Sequence, residues 1–302
     1  MGGPGRPDAW QEWARKVESW GYSTLTVNDH LGPFGSADSF VAPMVGLAMA
    51  AAVTSTLRLA ALVMNSDFRH PAVAASEWAA LDVFSGGRAE PGFGAGWNVA
   101  EYRAAGIPFN DAGARVARFE EYLHALKGCW QQDSFSFSGR FFLLDAFESR
   151  PRPSQLPRPP LLVGVAQPRM IRLAARHADI VSFGIFGSAE EADEKMRILR
   201  EAAGSRLREL ELRNGAQLTI TDEQPLAVAE RAIQREPVGP SSNVRPRSAA
   251  AYLSAPGTFV GSLERIEDRM HEVRRRWGIS YFTIADRNAE AAAPLVRRLA
   301  GK

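Results

Sequence analysis

The sequence predicts an α/β protein with the architecture of a (β/α)8 barrel. Strand-like and helix-like segments alternate along its 302 residues, and such repeats imply parallel strands joined by right-handed crossovers. The strand segments are continuous apolar runs, which fits strands that are buried on both faces. Ionisable or glycine-rich segments follow several strands, where a barrel carries its active site. The number of repeats favours a barrel over the alternative, an open doubly wound sheet.

The predicted elements follow from the hydrophobic periodicity of the chain. Trp10, Trp13, Val17 and Trp20 form the apolar stripe of a first helix over 8–20. The strands are predicted at 23–28, 57–63, 88–93, 161–165, 179–183, 216–221 and 279–285. The further helices are predicted at 40–53, 72–84, 113–131, 168–178, 188–204, 225–235 and 263–277.

Two segments interrupt the alternation. Residues 132–160 contain a hairpin predicted around Gly139 and a proline-rich return, and residues 236–257 are predicted to be irregular. Neither segment is long enough to fold as a separate domain. The sequence therefore predicts a single domain over residues 1–302.

The barrel is predicted to be incomplete at its start. A barrel needs eight strands, and the chain leads through Pro4 and Pro7 directly into a helix, with the first strand apparently missing. Either the recorded start lies too far downstream, which we expect, or the barrel is open with exposed edges. Pro91 is a second irregularity, since proline removes a hydrogen-bond donor from a central strand.

Composition limits the class of protein and its partners. The net charge of +2 is spread along the chain, so no nucleic-acid or membrane partner is predicted. Cys129 is the only cysteine, which excludes a disulfide framework. A signal peptide is not recognisable, and a cytoplasmic location is expected. The sequence carries no metal-binding or nucleophile motif, so neither a metal site nor a covalent nucleophile is predicted.

Asp29 and His30 are the first candidate site residues, because they end the strand at 23–28. The loops at 64–70, 94–98 and 165–168 also follow strands, so all four are expected at one end of the barrel. Histidine suits proton transfer near neutral pH, and an aspartate can orient it or bond a heterocycle. The alternative is a turn aspartate beside a solvent-facing or helix-capping histidine.

Three motifs carry a resemblance to a known family. They are "NDHLGPF" at 28–34, "SGGRAEPGFGAGWNVAEYRAAGIPF" at 85–109 and, more loosely, "LERIEDRM" with "WGISYFTI" near the end. Together they resemble the bacterial luciferase-like family of flavin- and deazaflavin-dependent oxidoreductases. The stretch at 94–109 is most similar to the branch that depends on coenzyme F420.

The resemblance implies a barrel of the luciferase-like type, a homodimer, and a tricyclic cofactor ring across the carboxyl ends of the strands. It implies that Asp29 contacts the cofactor and that His30 acts near the reacting carbon. A bulge or a non-prolyl cis peptide bond is implied at Leu62–Met64, and a phosphate held by backbone amides after the strand at 161–165. The residues predicted to bind the cofactor are Asp29, Leu62, Val63, Met64, Asn65, Gly94, Ala95, Gly96, Trp97, Gly164, Val165, Ala166 and Gln167.

The sequence also departs from its relatives. Trp97 stands where sugar-phosphate dehydrogenase relatives have a proton-donating glutamate, so that activity is not inferred; Trp97 is expected to wall the pocket or to fill the core. A dinucleotide-binding loop is a rival interpretation of Gly92, Gly94 and Gly96, but tryptophan occupies the position of its third glycine. Arg69 is expected at the surface or an interface, with a phosphate or carboxylate of the cofactor as the alternative partner.

The function that we predict is hydride transfer between F420 and a small organic substrate, with His30 as the proton-transfer residue. One alternative is a monooxygenase that depends on reduced FMN. A second is a barrel that binds a flavin or another small molecule without catalysis. The substrate is not predicted, although the phenylalanine and proline content of 132–160 and 236–257 favours an apolar ligand.

Overall fold

The computed structural model describes residues 7–31, 41–234, 246 and 248–300. The chain divides into two compact units. The first contains the described residues of 7–19 and 23–163, and the second contains 20–22 and the described residues from 164 to 300. The expected single domain over 1–302 remains a prediction, and the segment before the first helix, where the missing strand is expected, lies outside the described residues.

The first unit consists of parallel strands with helices between them. Its helices are α1 (Pro7–Ser19), α2 (Pro43–Ala51), α3 (Pro71–Ser85), α4 (Val99–Ala104) and α5 (Ala112–Gln131). Its strands are β1 (Thr24–Val27), β2 (Arg58–Ala61), β3 (Met64–Asn65), β4 (Ala89–Glu90), β5 (Gly92–Gly94), β6 (Phe135–Ser138), β7 (Leu143–Phe147) and the start of β8 (Leu162–Val165). β1 pairs with β2 and β2 with β4, while β5 pairs with both β3 and β8, all in parallel.

Pro91 divides the predicted strand at 88–93 into β4 and β5. β4 pairs with β2, whereas β5 pairs with β3 and β8. The Pro91 carbonyl still accepts the N–H of Leu162 at 2.9 Å. Pro91, which has no backbone N–H to donate, therefore lies where the chain changes from one pairing partner to another. The prediction of one continuous strand was wrong.

Two buried tryptophans connect the helices of this unit. Trp10 donates its indole N–H to the Gly46 carbonyl at 2.8 Å. Trp130 donates to the Ala75 carbonyl at 2.9 Å. Each ring thus buries a large apolar surface while its one polar atom keeps a partner.

The second unit continues the strand–helix alternation. Its helices are α6 (Pro168–His177), α7 (Ala189–Ala203), α8 (Pro225–Ile233), α9 (Ala249–Ser254), α10 (Leu263–Trp277) and α11 (Asp286–Leu299). Its further strands are β9 (Ile180–Phe183), β10 (Glu211–Ile220), β11 (Thr258–Gly261) and β12 (Ile279–Ile284). β10 pairs in parallel with β9, β11 and β12.

The parallel α/β class and the hairpin, formed by antiparallel β6 and β7, are confirmed. Several boundaries were wrong. β10 begins at Glu211 instead of 216, and α9 forms inside the stretch predicted to be irregular, half of which (236–245 and 247) lies outside the described residues. α4, β11 and α11 were not predicted. Within the described residues, no helix combines the length and apolarity that a membrane span requires.

Candidate active site

The carboxyl ends of β1, β2 and β5 bring the predicted residues of the first unit together. Asp29 and His30 follow β1. The peptide bond between Leu62 and Val63, directly after β2, is cis, as the resemblance implied for this position. The glycine-rich segment predicted to approach the cofactor begins at Gly94, the last residue of β5.

Asp29 is held by two donors, one from the end of β3 and one from the segment that follows it. Its Oδ2 accepts the backbone N–H of Asn65 at 3.0 Å and the Nη1 of Arg69 at 3.1 Å. Asp29 is 7% exposed, so these bonds keep a buried carboxylate satisfied. The sequence indicated His30 as a residue that Asp29 can orient. The contacts of Asp29 Oδ2 are instead with Asn65 and Arg69.

Arg69 links two carboxylates. Besides Asp29, its Nε lies 3.4 Å from the Oε2 of Glu77 on α3. The Arg69 side chain is 21% exposed. The structure thus gives Arg69 two carboxylate partners that were not predicted. Its expected position at the surface or an interface, and the alternative contact with a phosphate or carboxylate of the cofactor, remain predictions.

Glu77 has a pKa raised above its ordinary value. Burial of the carboxyl group is the largest cause, the Arg69 charge opposes it, and the Asp29 charge adds to it. Desolvation thus outweighs the attraction of the nearby guanidinium.

His30 is paired with Glu101, which was not predicted. The Nδ1 of His30 lies 2.5 Å from the Oε1 of Glu101, and their side chains are 13% and 9% exposed. The same Oε1 accepts the side-chain amide N–H of Asn98 at 2.7 Å. The sequence signal for Glu101 is the helix-capping pattern Asn-x-x-Glu at the start of α4. This helix is too short to show hydrophobic periodicity, so it was not predicted.

Trp97 lies beside the His30 ring. The two ring centroids are 6.1 Å apart with nearly perpendicular planes. Trp97 is 40% exposed, which excludes the alternative that it fills the core. An aromatic surface therefore stands next to a group that can exchange a proton.

Behind this pair lies a second polar cluster. The Tyr102 hydroxyl lies 2.8 Å from Asp67 Oδ2 and 3.0 Å from Asn65 Oδ1, so its single proton serves one acceptor at a time. Arg118 donates to both oxygens of Asp67, at 2.8 and 2.6 Å. Burial raises the pKa of the Tyr102 hydroxyl, which therefore remains a donor. The loop after β3 is fixed through Asn65 and Asp67.

The two glycines after Phe93 are required by packing. A Cβ atom on Gly94 would lie 2.9 Å from Cγ2 of Val63. Gly96 has φ +69°, and its Cβ would overlap the Tyr102 hydroxyl. That these glycines let a cofactor ring approach the backbone remains a prediction.

The other predicted cofactor residues divide between the two units. In the first, Met64 is buried and its sulfur accepts the indole N–H of Trp78, while Leu62, Val63 and Ala95 are half-buried. In the second, Gly164 and Val165 end β8, and Ala166 and Gln167 are exposed at the start of α6. Gln167 occupies the N-cap position of that helix, where backbone donors suit an anion.

The charges around His30 disfavour a phosphate there. Four carboxylates meet two guanidiniums in this part of the first unit, namely Asp29, Asp67, Glu77 and Glu101 with Arg69 and Arg118. An anion would meet a negative surplus at this cluster. A neutral heterocycle fits it better.

The residues present fit a flat, partly polar ring. Trp97 offers an exposed aromatic face. Ser66, directly after β3, has a buried Oγ without a hydrogen-bond partner within the described chain, as a polar edge of a ligand would require. His30 supplies the proton-exchanging group, and its ring lies beside that of Trp97.

Parallel strands that carry a half-buried histidine–carboxylate pair at their carboxyl ends fit the luciferase-like class of oxidoreductases. The model of the luciferase-like monooxygenase family matches residues 1–298, and the chain belongs to this family.

Named relatives include enzymes of both cofactor types. The FMNH2-dependent dimethylsulfone monooxygenase of Pseudomonas putida is 36% identical over 128 residues, which cover 42% of this chain and 35% of that protein. The F420-dependent glucose-6-phosphate dehydrogenase of Kineococcus radiotolerans is 29% identical over 175 residues, 57% of this chain and 51% of the relative. The matched stretches thus span about a third to a half of these relatives.

A solved structure shows the same fold. The F420-dependent secondary alcohol dehydrogenase in complex with an F420–acetone adduct superposes with a TM-score of 0.78 at 17% identity, over 97% of this chain and 95% of that one. The luciferase-like fold predicted from the sequence is confirmed, and the closure of its strands into a barrel remains a prediction.

Proposed function

We propose that this chain is an F420-dependent oxidoreductase that transfers a hydride between the deazaflavin and a small organic substrate. The observation that carries the proposal is the His30–Glu101 pair beside the exposed ring of Trp97. Hydride transfer to or from a carbon that bears oxygen must be matched by a proton at that oxygen. A half-buried histidine paired with a carboxylate is suited to move that proton.

Residues of the first unit would hold the ring of the cofactor. When bound, F420 supplies the carbon that donates or accepts the hydride. Trp97 and Val63 would contact the ring, and Asp29 and Ser66 would face its polar edge. Within the second unit, the backbone amides of Gly164–Gln167 are donors of the kind that bind a phosphate at other helix N-termini. His30 holds the proton at its ring nitrogen until the substrate oxygen takes or returns it.

The first experiment titrates the purified protein with F420 and, separately, with FMN, following the fluorescence of each cofactor. We expect micromolar quenching by F420. His30→Gln should retain that affinity and lower kcat by about a hundredfold or more, the usual contribution of general acid–base catalysis. His124→Gln is the matched control, since His124 is exposed on α5. Binding of neither cofactor would overturn the proposal, and full turnover in His30→Gln would support the non-catalytic alternative for this residue.

The second candidate is a monooxygenase that uses reduced FMN. The identity of 36% to the dimethylsulfone monooxygenase favours it. The two candidates separate in an aerobic reaction under ¹⁸O₂, because only the monooxygenase places labelled oxygen in its product. Quenching by FMN but not F420, followed by labelled product, would replace the first proposal with the second.

We also propose a homodimer in the cytoplasm. Val73 and Phe84 expose 51% and 83% of their surface on α3, which favours burial against another copy. Light scattering coupled to gel filtration tests this, and a monomer at micromolar concentration would contradict it.

A further inference from the structure

We infer that Glu101 is a positioning residue that decides which ring nitrogen of His30 exchanges the proton. The inference rests on the proposed function, since it concerns the residue that moves the proton there. Glu101 itself is not proposed to touch the substrate or the cofactor.

The contact fixes the tautomer of His30. An ionised carboxylate only accepts hydrogen bonds, whereas each nitrogen of a neutral imidazole either donates or accepts. With Glu101 Oε1 at 2.5 Å, Nδ1 is the nitrogen that carries a hydrogen. Nε2 is then the nitrogen that gains and loses the exchanging proton. A carboxylate behind a histidine orients the ring in the same way at other catalytic and metal sites.

Glu101 is itself held in place by the start of α4. Asn98 is the N-cap residue of this helix, and its side-chain oxygen accepts the N–H of Ala100 at 3.2 Å. Its amide nitrogen is therefore turned towards Glu101, to which it donates at 2.7 Å. Glu101 is 8% exposed, so its carboxylate has a defined direction and little access to water.

Helix capping alone would explain a glutamate at this position. In a capping box the glutamate of the first turn reaches back to the backbone N–H of the N-cap residue. Here the carboxylate of Glu101 instead receives the side-chain amide of Asn98 and the ring of His30. The contact with His30 joins residues 71 positions apart, which capping does not require.

The first test measures the ring nitrogens of His30 by ¹⁵N NMR in the protein without added cofactor. Histidine labelling gives five residues to resolve, and His30→Gln assigns the signals of His30. We expect a protonated Nδ1 in the wild type, loss of its predominance in Glu101→Gln, and retention in the matched control Glu148→Gln. Glu148 is an exposed glutamate of the hairpin region, paired with Arg150 and outside the network around His30.

An unprotonated Nδ1 in the wild type would overturn the inference, and so would an unchanged Nδ1 in Glu101→Gln. The wild-type spectrum decides alone if Glu101→Gln does not fold. Because this measurement needs no cofactor, it stands even if neither F420 nor FMN binds, which would refute only the proposed function.

The second test separates positioning from folding by kinetics. With the cofactor that binds, we expect Glu101→Gln to lower kcat by about tenfold to a hundredfold, the usual effect of removing such an orienting partner. Cofactor affinity should not change. The double variant His30→Gln/Glu101→Gln should lose little beyond His30→Gln, because the two residues act as a unit. An unchanged kcat in Glu101→Gln, or an equal loss in Glu148→Gln, would contradict the role.

Discussion

Replacing Gly96 with alanine tests whether the cluster around Tyr102 holds the site in place. Gly96 adopts φ +69°, and an added Cβ would overlap the Tyr102 hydroxyl and approach Asn65 Nδ2 to 2.9 Å. Gly106 is a matched control, because it has φ +68° with nothing within 4 Å of its Cβ. The two substitutions share the backbone penalty and differ in the space available.

The expected difference follows from these contacts. Alanine in the left-handed region costs about 1–2 kcal/mol at either position. Gly96→Ala must also displace Tyr102, which separates its hydroxyl from Asn65 and Asp67. A buried polar group left without its partner costs about 1–3 kcal/mol more. We therefore expect Gly96→Ala to lower the free energy of unfolding by about 1–3 kcal/mol more than Gly106→Ala does.

Urea denaturation of the wild type and the two variants measures this difference, provided that the slope of the transition is unchanged. Gly86→Ala is a second control, since Gly86 has φ +72° and open space around its Cβ. If Gly96→Ala and both controls are equally destabilised, the Tyr102 cluster does not constrain the segment that carries Trp97, and the reasoning is wrong.

Three further predictions concern charges and the aromatic face of the site. Glu77 has a folded-state pKa above its unfolded value of 4.5, mainly through burial, so the folded protein binds more protons just above pH 4.5 and stability falls as the pH rises through that range. Glu77→Gln should remove this fall, as a pH series of denaturation curves would show. Arg118→Ala leaves the carboxylate of Asp67, whose side chain is 4% exposed, without its bidentate partner and should cost about 3–5 kcal/mol in the same assay; Arg118→Lys should restore only part of it. Trp97→Ala should weaken cofactor binding by at least tenfold with little change in stability, because the ring is half-exposed, whereas Trp97→Phe should bind nearly as well in the fluorescence titration.

The sequence was informative where local chemistry determines structure. Asp29 and His30 were located correctly at the end of a strand, because an apolar β-branched run stops at two ionisable residues. The resemblance located the cis peptide bond after β2 at Leu62–Val63. The hairpin around Gly139 followed from turn residues between short alternating runs.

The sequence was less informative where a contact joins distant residues. Glu101 contacts His30 although 71 positions separate them, and the sequence around either residue does not indicate this contact. The ion pairs of Arg69 were not predicted, because its partners, Asp29 and Glu77, stand 40 positions before and 8 after it in the numbering. The strand at 88–93 was predicted as continuous because periodicity does not reveal that its two halves pair with different neighbours.

The described polar network around His30 has one property that bears on descent and redesign. All of its members, from Asp29 to Arg118, come from a single continuous run of the chain within the first unit. A block of this kind can be inherited or exchanged whole, without any of its bonds being remade. Changes in the rest of the chain would then alter which molecules bind, while the residues that handle the proton stay the same. A chimaera that exchanges this run between two relatives would transfer these residues together.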